Sequence, residues 1–222
     1  MKFYESGDNR KPVIFLFPGT CCLYSSFDHV LDGLHSYFYT VAVSYDGFDP
    51  NEKTEFYSME DECEKIEQEI RTKYGGRIKA AYGCSLGGSF VSLLIQRKRI
   101  HIDHGIIGSS DMDDAGNLVA KIQASMVVPF MYKMVHTGAL PKFMQKKLNK
   151  TDEAKKELYN GFLNMFGIGK GGSPWITKQS IYNQFYSDLV TKVQHGIDVP
   201  GTTIHVFYAT KMGEKYEKRY CT

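Results

Sequence analysis

The sequence predicts an α/β fold: a mostly parallel, doubly wound sheet interrupted by an all-helical insertion. Three observations carry this. Short β-rich runs alternate with helical patterns through the first half of the chain, and strand–helix–strand alternation gives a parallel sheet wrapped by helices. The alternation then stops, and residues 112–195 show helical periodicity without a convincing strand pattern. Strand character returns at Thr203–Tyr208, after the turn Val199-Pro200-Gly201. A chain of 222 residues can hold one such domain with an inserted subdomain. The expected division is a core over 1–111 and 196–222, C-terminally incomplete, and a helical cap over 112–195.

Each element has a local reason. Val13–Phe17 is five apolar residues ending at Pro18-Gly19, the profile of a strand buried on both faces. Ser25 and Ser26, with Asp28 close behind, read as the N-cap of a helix reaching about Leu34. Phe38–Ser44 is again β-branched and aromatic. Ser58 caps a helix with Glu60, Asp61 and Glu62 in its first turn, which ends at Gly75-Gly76. Ile78–Tyr82 is a strand, Leu86 to about Arg97 a helix with Phe90, Leu93 and Leu94 on one face, and Gly105–Gly108 a further strand that His101 and His104 flank at its start.

Composition removes several function classes. Lys and Arg number 27 against 25 Asp and Glu, a formal charge of +2, too even to predict a nucleic-acid partner. No stretch approaches the roughly 18 uninterrupted apolar residues of a bilayer span, and residues 1–10 contain no signal-type apolar region. Five cysteines without metal-ligand spacing suit reduced thiols and a cytoplasmic setting. Aromatic content of 14% favours a thick core or an apolar pocket.

The chemistry centres on Gly83-Cys84-Ser85-Leu86-Gly87-Gly88, which follows a predicted strand and opens a predicted helix. That is the context of a Gly-x-Ser-x-Gly nucleophile elbow. A serine on so sharp a turn needs small neighbours, which Gly83 and Gly87 supply, and the helix N-terminus favours the negative charge that develops there. Acyl transfer also needs two backbone N–H groups aimed at an oxyanion. One is that of Leu86. The other comes from the turn Phe17-Pro18-Gly19-Thr20-Cys21-Cys22, from Thr20 or Cys21. Cys84 is expected to be buried and chemically inert.

Elbow, Pro-Gly turn, helical insertion and returning strand together resemble the α/β-hydrolase superfamily over about residues 11–222, and within it the lidded esterase and lipase type. The resemblance implies a triad in the order Ser, then Asp or Glu, then His. Ser85 is then the nucleophile. Glu214 is the carboxylate at suitable spacing after the returning strand, with Glu217 second. Asp111, after the Gly105–Gly108 strand, is the alternative, with Asp113 and Asp114 weaker versions of it. No His follows Glu214, and His101, His104, His136, His195 and His205 do not occupy the expected loop. The base is therefore expected beyond Thr222, with a catalytically inactive relative as the alternative.

The expected activity is hydrolysis of a carboxylic ester through an acyl-enzyme on Ser85. The alternatives are an acyltransferase or C–C hydrolase on the same machinery, or a ligand-binding protein without catalysis. No metal or organic cofactor is implied. The expected partner is an apolar small-molecule ester or acyl substrate, served by the insertion's methionines and aromatics, and an open sheet edge would favour a homodimer. Gly167-Ile168-Gly169-Lys170-Gly171-Gly172 follows a helical run, so it reads as a loop and not a dinucleotide site, with Ser173-Pro174 capping the next helix. The lysines from Lys142 to Lys156 read as a solvated helix face.

Overall fold

Val13–Phe17 (β2) and Tyr39–Ser44 (β3) are apolar at nearly every position and bury almost completely, as strands covered on both faces must. The computed structural model of the chain describes residues 1–110, 114–142, 145–146, 156, 160, 163–164, 166, 171–194 and 196–207. Among these, Lys2–Ser6 (β1), Arg77–Cys84 (β4), His101–Gly108 (β5) and Thr203–Phe207 (β6) join β2 and β3 in a six-stranded sheet of order β1-β3-β2-β4-β5-β6. Every pairing is parallel except β1 with β3, so the α/β class with a mostly parallel sheet holds.

The helices follow their sequence signals closely in two cases. Met59–Tyr74 (α2) starts where Ser58 Oγ accepts from the Asp61 amide at 3.1 Å and ends at Gly75 with φ +63°. Its buried stripe of Met59, Cys63, Ile66 and Ile70 faces the sheet. Leu86–Arg97 (α3) buries nearly its whole length. The 14% of aromatic residues is used largely as core: Phe15, Phe17, Tyr45, Phe48, Phe56 and Phe90 are almost wholly buried, with Tyr45 and Phe90 stacked at 4.7 Å.

Three features of the first half depart from the sequence expectations. β1 carries only Phe3 and Tyr4 as large apolar groups, too little for a strand signal, and it forms by pairing with β3. Ser25 and Ser26 do not cap a helix. They lie in a 3-10 turn, Tyr24–Phe27, and the following helix Asp28–His35 (α1) starts without a side-chain cap. β5 begins at His101, so His101 and His104 are inside it. Its parallel pairing with β4 starts at Arg77↔His101, which sets the longer strand.

Among the described residues between 114 and 194 there are two long helices and no strand. Asn117–Thr137 (α4) is long and apolar enough, by length and composition, to cross a membrane, and 28% of its apolar window is buried. It packs on Lys178–Val190 (α5). The cap of α5 is Thr177, whose Oγ1 accepts from the Ser180 amide at 3.0 Å. Ser173 instead donates its amide to the Val135 carbonyl at 2.7 Å. The buried side of α5 carries Ser180, Gln184 and Ser187 beside Ile181, an unusually polar face for a packed helix.

Candidate active site

The register brings the carboxyl ends of four strands level: Phe17 opposite Gly83, Cys84 opposite Gly108, and Gly108 opposite Phe207. In open α/β sheets, ligands bind outside this edge. Ser85 is the first residue past β4 and the N-cap of α3, with φ 55° and ψ −125°. A non-glycine residue holds that conformation only where its surroundings enforce it. Here they do. The Ser85 amide donates to the Gly108 carbonyl at 2.9 Å, and the Ser85 carbonyl accepts from the Gly88 amide at 2.8 Å. A Cβ on Gly83 would overlap the Gly87 carbonyl, and one on Gly87 would overlap the Phe17 carbonyl. Both glycines of the motif are therefore required by close backbone approach. The Ser85 side chain ends up exposed at the start of a 12-residue helix, and Leu86 behind it is fully buried.

The turn after β2 lies against this elbow. A Cβ built on Gly19 would sit 3.7 Å from Ser85 Cβ and 3.3 Å from the Cys84 carbonyl oxygen. Tyr45, buried in the core, donates its hydroxyl to the Pro18 carbonyl at 3.2 Å, and the Cys22 amide closes the turn on the Gly19 carbonyl at 3.0 Å. The two amides proposed from Thr20 or Cys21 separate here. Cys21 is buried with φ +60°, and its N–H donates to Gln184 Oε1 of α5 at 2.7 Å. It is already committed. The amides of half-buried Thr20 and of Leu86 donate to no acceptor among the described residues. The Leu86 amide is one of the orphan donors that every helix N-terminus leaves.

The nearby thiols are unsuited to compete as nucleophiles. Burial pushes Cys21 well above the usual thiol range and Cys22 up to about 12, and burial also raises Cys84, so all three stay protonated near neutrality. Among the described residues, no side chain hydrogen-bonds Ser85 Oγ. Six of the seven histidines are described, all except His195, and each of the bonded ones is engaged elsewhere. His104 Nδ1 meets His205 Nε2 at 3.2 Å across β5 and β6, and His35 Nε2 is shared by Ser6 and Thr40. His136 lies tilted beside Tyr132 on α4, with ring centres 5.0 Å apart, and His29 is exposed on α1.

Glu214, Glu217, Asp111 and Asp113 lie outside the described residues. Asp114 is an exposed turn residue. Its carboxylate takes the Gly116 amide at 2.9 Å and pairs with Lys192 at 3.2 Å, and the Gly116 amide ahead of Lys192 holds it below the usual carboxylate range. Of the proposed lysine face, only Lys142, Lys146 and Lys156 are described. A cavity of about 420 Å³ lies on the α1 side of the sheet. Its wall is apolar, formed by Ile14, Leu16, Phe27, Phe38 and Ile106, and includes Gly19 and Cys84, the residues that precede Thr20 and Ser85. Sequence reading did not single out Gln184 or Tyr45, which act on the turn from distant parts of the chain.

Family models and curated proteins contain no match to this chain. Solved structures do match. A protein of the alpha/beta hydrolase family from Desulfitobacterium hafniense superposes with a TM-score of 0.69 at 14% identity, over 98% of this chain and 96% of its own. A structure from a study of carboxylesterases of the thaumarchaeon Nitrososphaera gargenis gives 0.69 at 14% identity, over 98% and 81%. The enol-lactonase from Burkholderia xenovorans LB400 gives 0.63 at 12% identity, over 94% and 87%. At identities this low the likeness shows a shared fold, the α/β-hydrolase fold.

Proposed function

We propose that this chain, which has the α/β-hydrolase fold, is a serine hydrolase that cleaves a carboxylic ester. The observation that carries the reading is Ser85 itself, a non-glycine residue at φ 55° on the tip of β4, exposed and flanked by the uncommitted amides of Thr20 and Leu86. Ser85 Oγ attacks the ester carbonyl carbon and gives up its proton to a base. The carbonyl oxygen becomes an oxyanion that accepts from the Leu86 and Thr20 amides, with the N-terminus of α3 adding favourable potential. The C–O bond to the leaving group then breaks, the alcohol takes the proton, and water hydrolyses the acyl-Ser85 ester by the same steps in reverse.

In this reading the base is a histidine from outside the described residues, oriented by Glu214 or by Asp111. The apolar cavity against the same two turns supports an apolar acyl or alcohol group on the substrate.

The test is labelling with a fluorophosphonate probe, located by mass spectrometry, together with turnover of short aryl esters. Labelling should fall on Ser85, and Ser85→Ala should abolish it and lower turnover by about 10⁴-fold or more. Absence of labelling both in this chain and in any longer natural form of it overturns the reading in favour of a binding protein. Unchanged turnover in Ser85→Ala would assign the activity to another group.

A further inference from the structure

We infer that Gln184, on α5, is a positioning residue for the oxyanion pocket: it clamps the turn after β2 so that the Thr20 amide faces Ser85. The inference deepens the serine-hydrolase reading and rests on it. Three observations support it independently of that reading. The first is conformational. Cys21 sits at φ +60°, a region that residues with a side chain rarely occupy, and the strain must be held by its neighbours. The second is the holding bond. The Cys21 amide reaches a single acceptor, Gln184 Oε1, at 2.7 Å, and both residues are buried, at 1% and 0% exposure. Without that oxygen a buried N–H would have no partner, so rotation of the Thr20–Cys21 peptide plane is opposed.

The third is how Gln184 is itself held. Ser180, one turn earlier on the same face, accepts the Phe56 amide at 3.2 Å, and Asn183 donates to the Phe56 carbonyl at 2.7 Å. Ser180 also packs so close to Gly47 that a Cβ there would overlap its hydroxyl. The helix is thus seated by fixed polar contacts, and it carries Gln184 to a fixed place. The other end of the Gln184 amide, Nε2, has no hydrogen-bond partner among the described residues although it is buried.

Loss of this clamp should loosen the oxyanion donor without removing any group that touches substrate. Gln184→Met keeps the side-chain length and deletes the acceptor. The full chain, assayed on a short aryl ester, should lose about 10- to 100-fold in kcat with KM within about twofold, because the amide matters only once charge develops on the carbonyl oxygen. Affinity for a trifluoromethyl ketone, which forms the oxyanion on the enzyme, should fall by the same factor. A purely structural role would lower the melting temperature and leave both ratios unmoved.

Ser180→Ala offers a second route, loosening α5 while keeping Gln184, and should give a smaller loss of the same kind. If the unmodified chain turns over ester and both variants keep kcat and ketone affinity, the inference is wrong and the serine-hydrolase reading stands. If neither this chain nor any longer natural form of it turns over ester or labels at Ser85, both are wrong.

Discussion

The amide of Ser85 donates to the carbonyl of Gly108 at 2.9 Å, which stitches the strained residue of the elbow to the neighbouring strand. On the other side Gly87 lies against the Phe17 carbonyl. The elbow is therefore braced by β5 and β2 at once, and neither brace involves a side chain that could yield. Gly87→Ala should be costly for this reason. The added methyl group must displace backbone, and we expect a loss of about 3 kcal/mol, or about 6–12 °C in melting temperature. Differential scanning calorimetry would check it, and a change of less than about 2 °C would show that the strand tip is more compliant than this geometry implies.

Glu62 introduces a pH dependence. It is fully buried on α2, accepting from Lys65 at 2.8 Å and from the Asp46 amide at 3.0 Å. Burial, reinforced by the charge of Asp46 and opposed by Lys65, raises its carboxyl from 4.5 to about 7. A carboxyl raised on folding contributes nothing below its unfolded value, where both states are protonated. Between 4.5 and about 7 the unfolded chain releases the proton first, so stability falls as pH rises, and the loss is complete above about 7. Glu62→Gln lacks this term. Relative to the unmodified chain it should gain by up to about 3 kcal/mol between about pH 4.5 and pH 8, measured as urea midpoints at both values. A difference that is flat or shrinks with pH would contradict the assignment.

Gly33 makes the opposite prediction from Gly87. It lies inside α1, on an exposed face, and a Cβ there would meet nothing within 4 Å. Gly33→Ala should stabilise the chain by about 0.5–1 kcal/mol through helix propensity and a less flexible unfolded state. Chemical denaturation would read it, and a destabilisation would mean that α1 depends on a contact this surface does not display.

The contrast between these glycines also marks what the sequence could reveal. Gly83 and Gly87 were legible because a motif with fixed spacing sits between a clear strand and a clear helix, although only the crowding at Gly83 is local and that at Gly87 comes from the Phe17 carbonyl of β2. Ser58 and Gly75 were legible for the same reason, since a cap acts within one turn. β1 was not, because Lys2–Ser6 gains its strand state from pairing with β3 and from the ion pairs of the Met1 amine with Asp46 and Glu52, and an edge strand need not show alternation. Ser25 and Ser26 had the composition of a cap, but the chain spends them in a 3-10 turn. Gln184 was invisible because its partner lies 163 residues earlier and one glutamine in a helix has no signature. Thr20 and Cys21 could not be distinguished in sequence. Only the third dimension shows that one amide is already bonded.

The polar seating of α5 has a thermal consequence. Lifting this helix would hydrate Ser180, Gln184 and Ser187 as well as the apolar surface of Ile181, Tyr182, Phe185 and Tyr186, which pack on the core. Apolar exposure raises heat capacity and polar exposure lowers it, so the two contributions partly cancel. The opening enthalpy of α5 would then drift less with temperature than that of a helix of the same length seated on an apolar face alone. The hold of such an apolar helix weakens on cooling as the hydrophobic term fades. The contact between α5 and the turn beside Ser85 should therefore lose less of its strength in the cold.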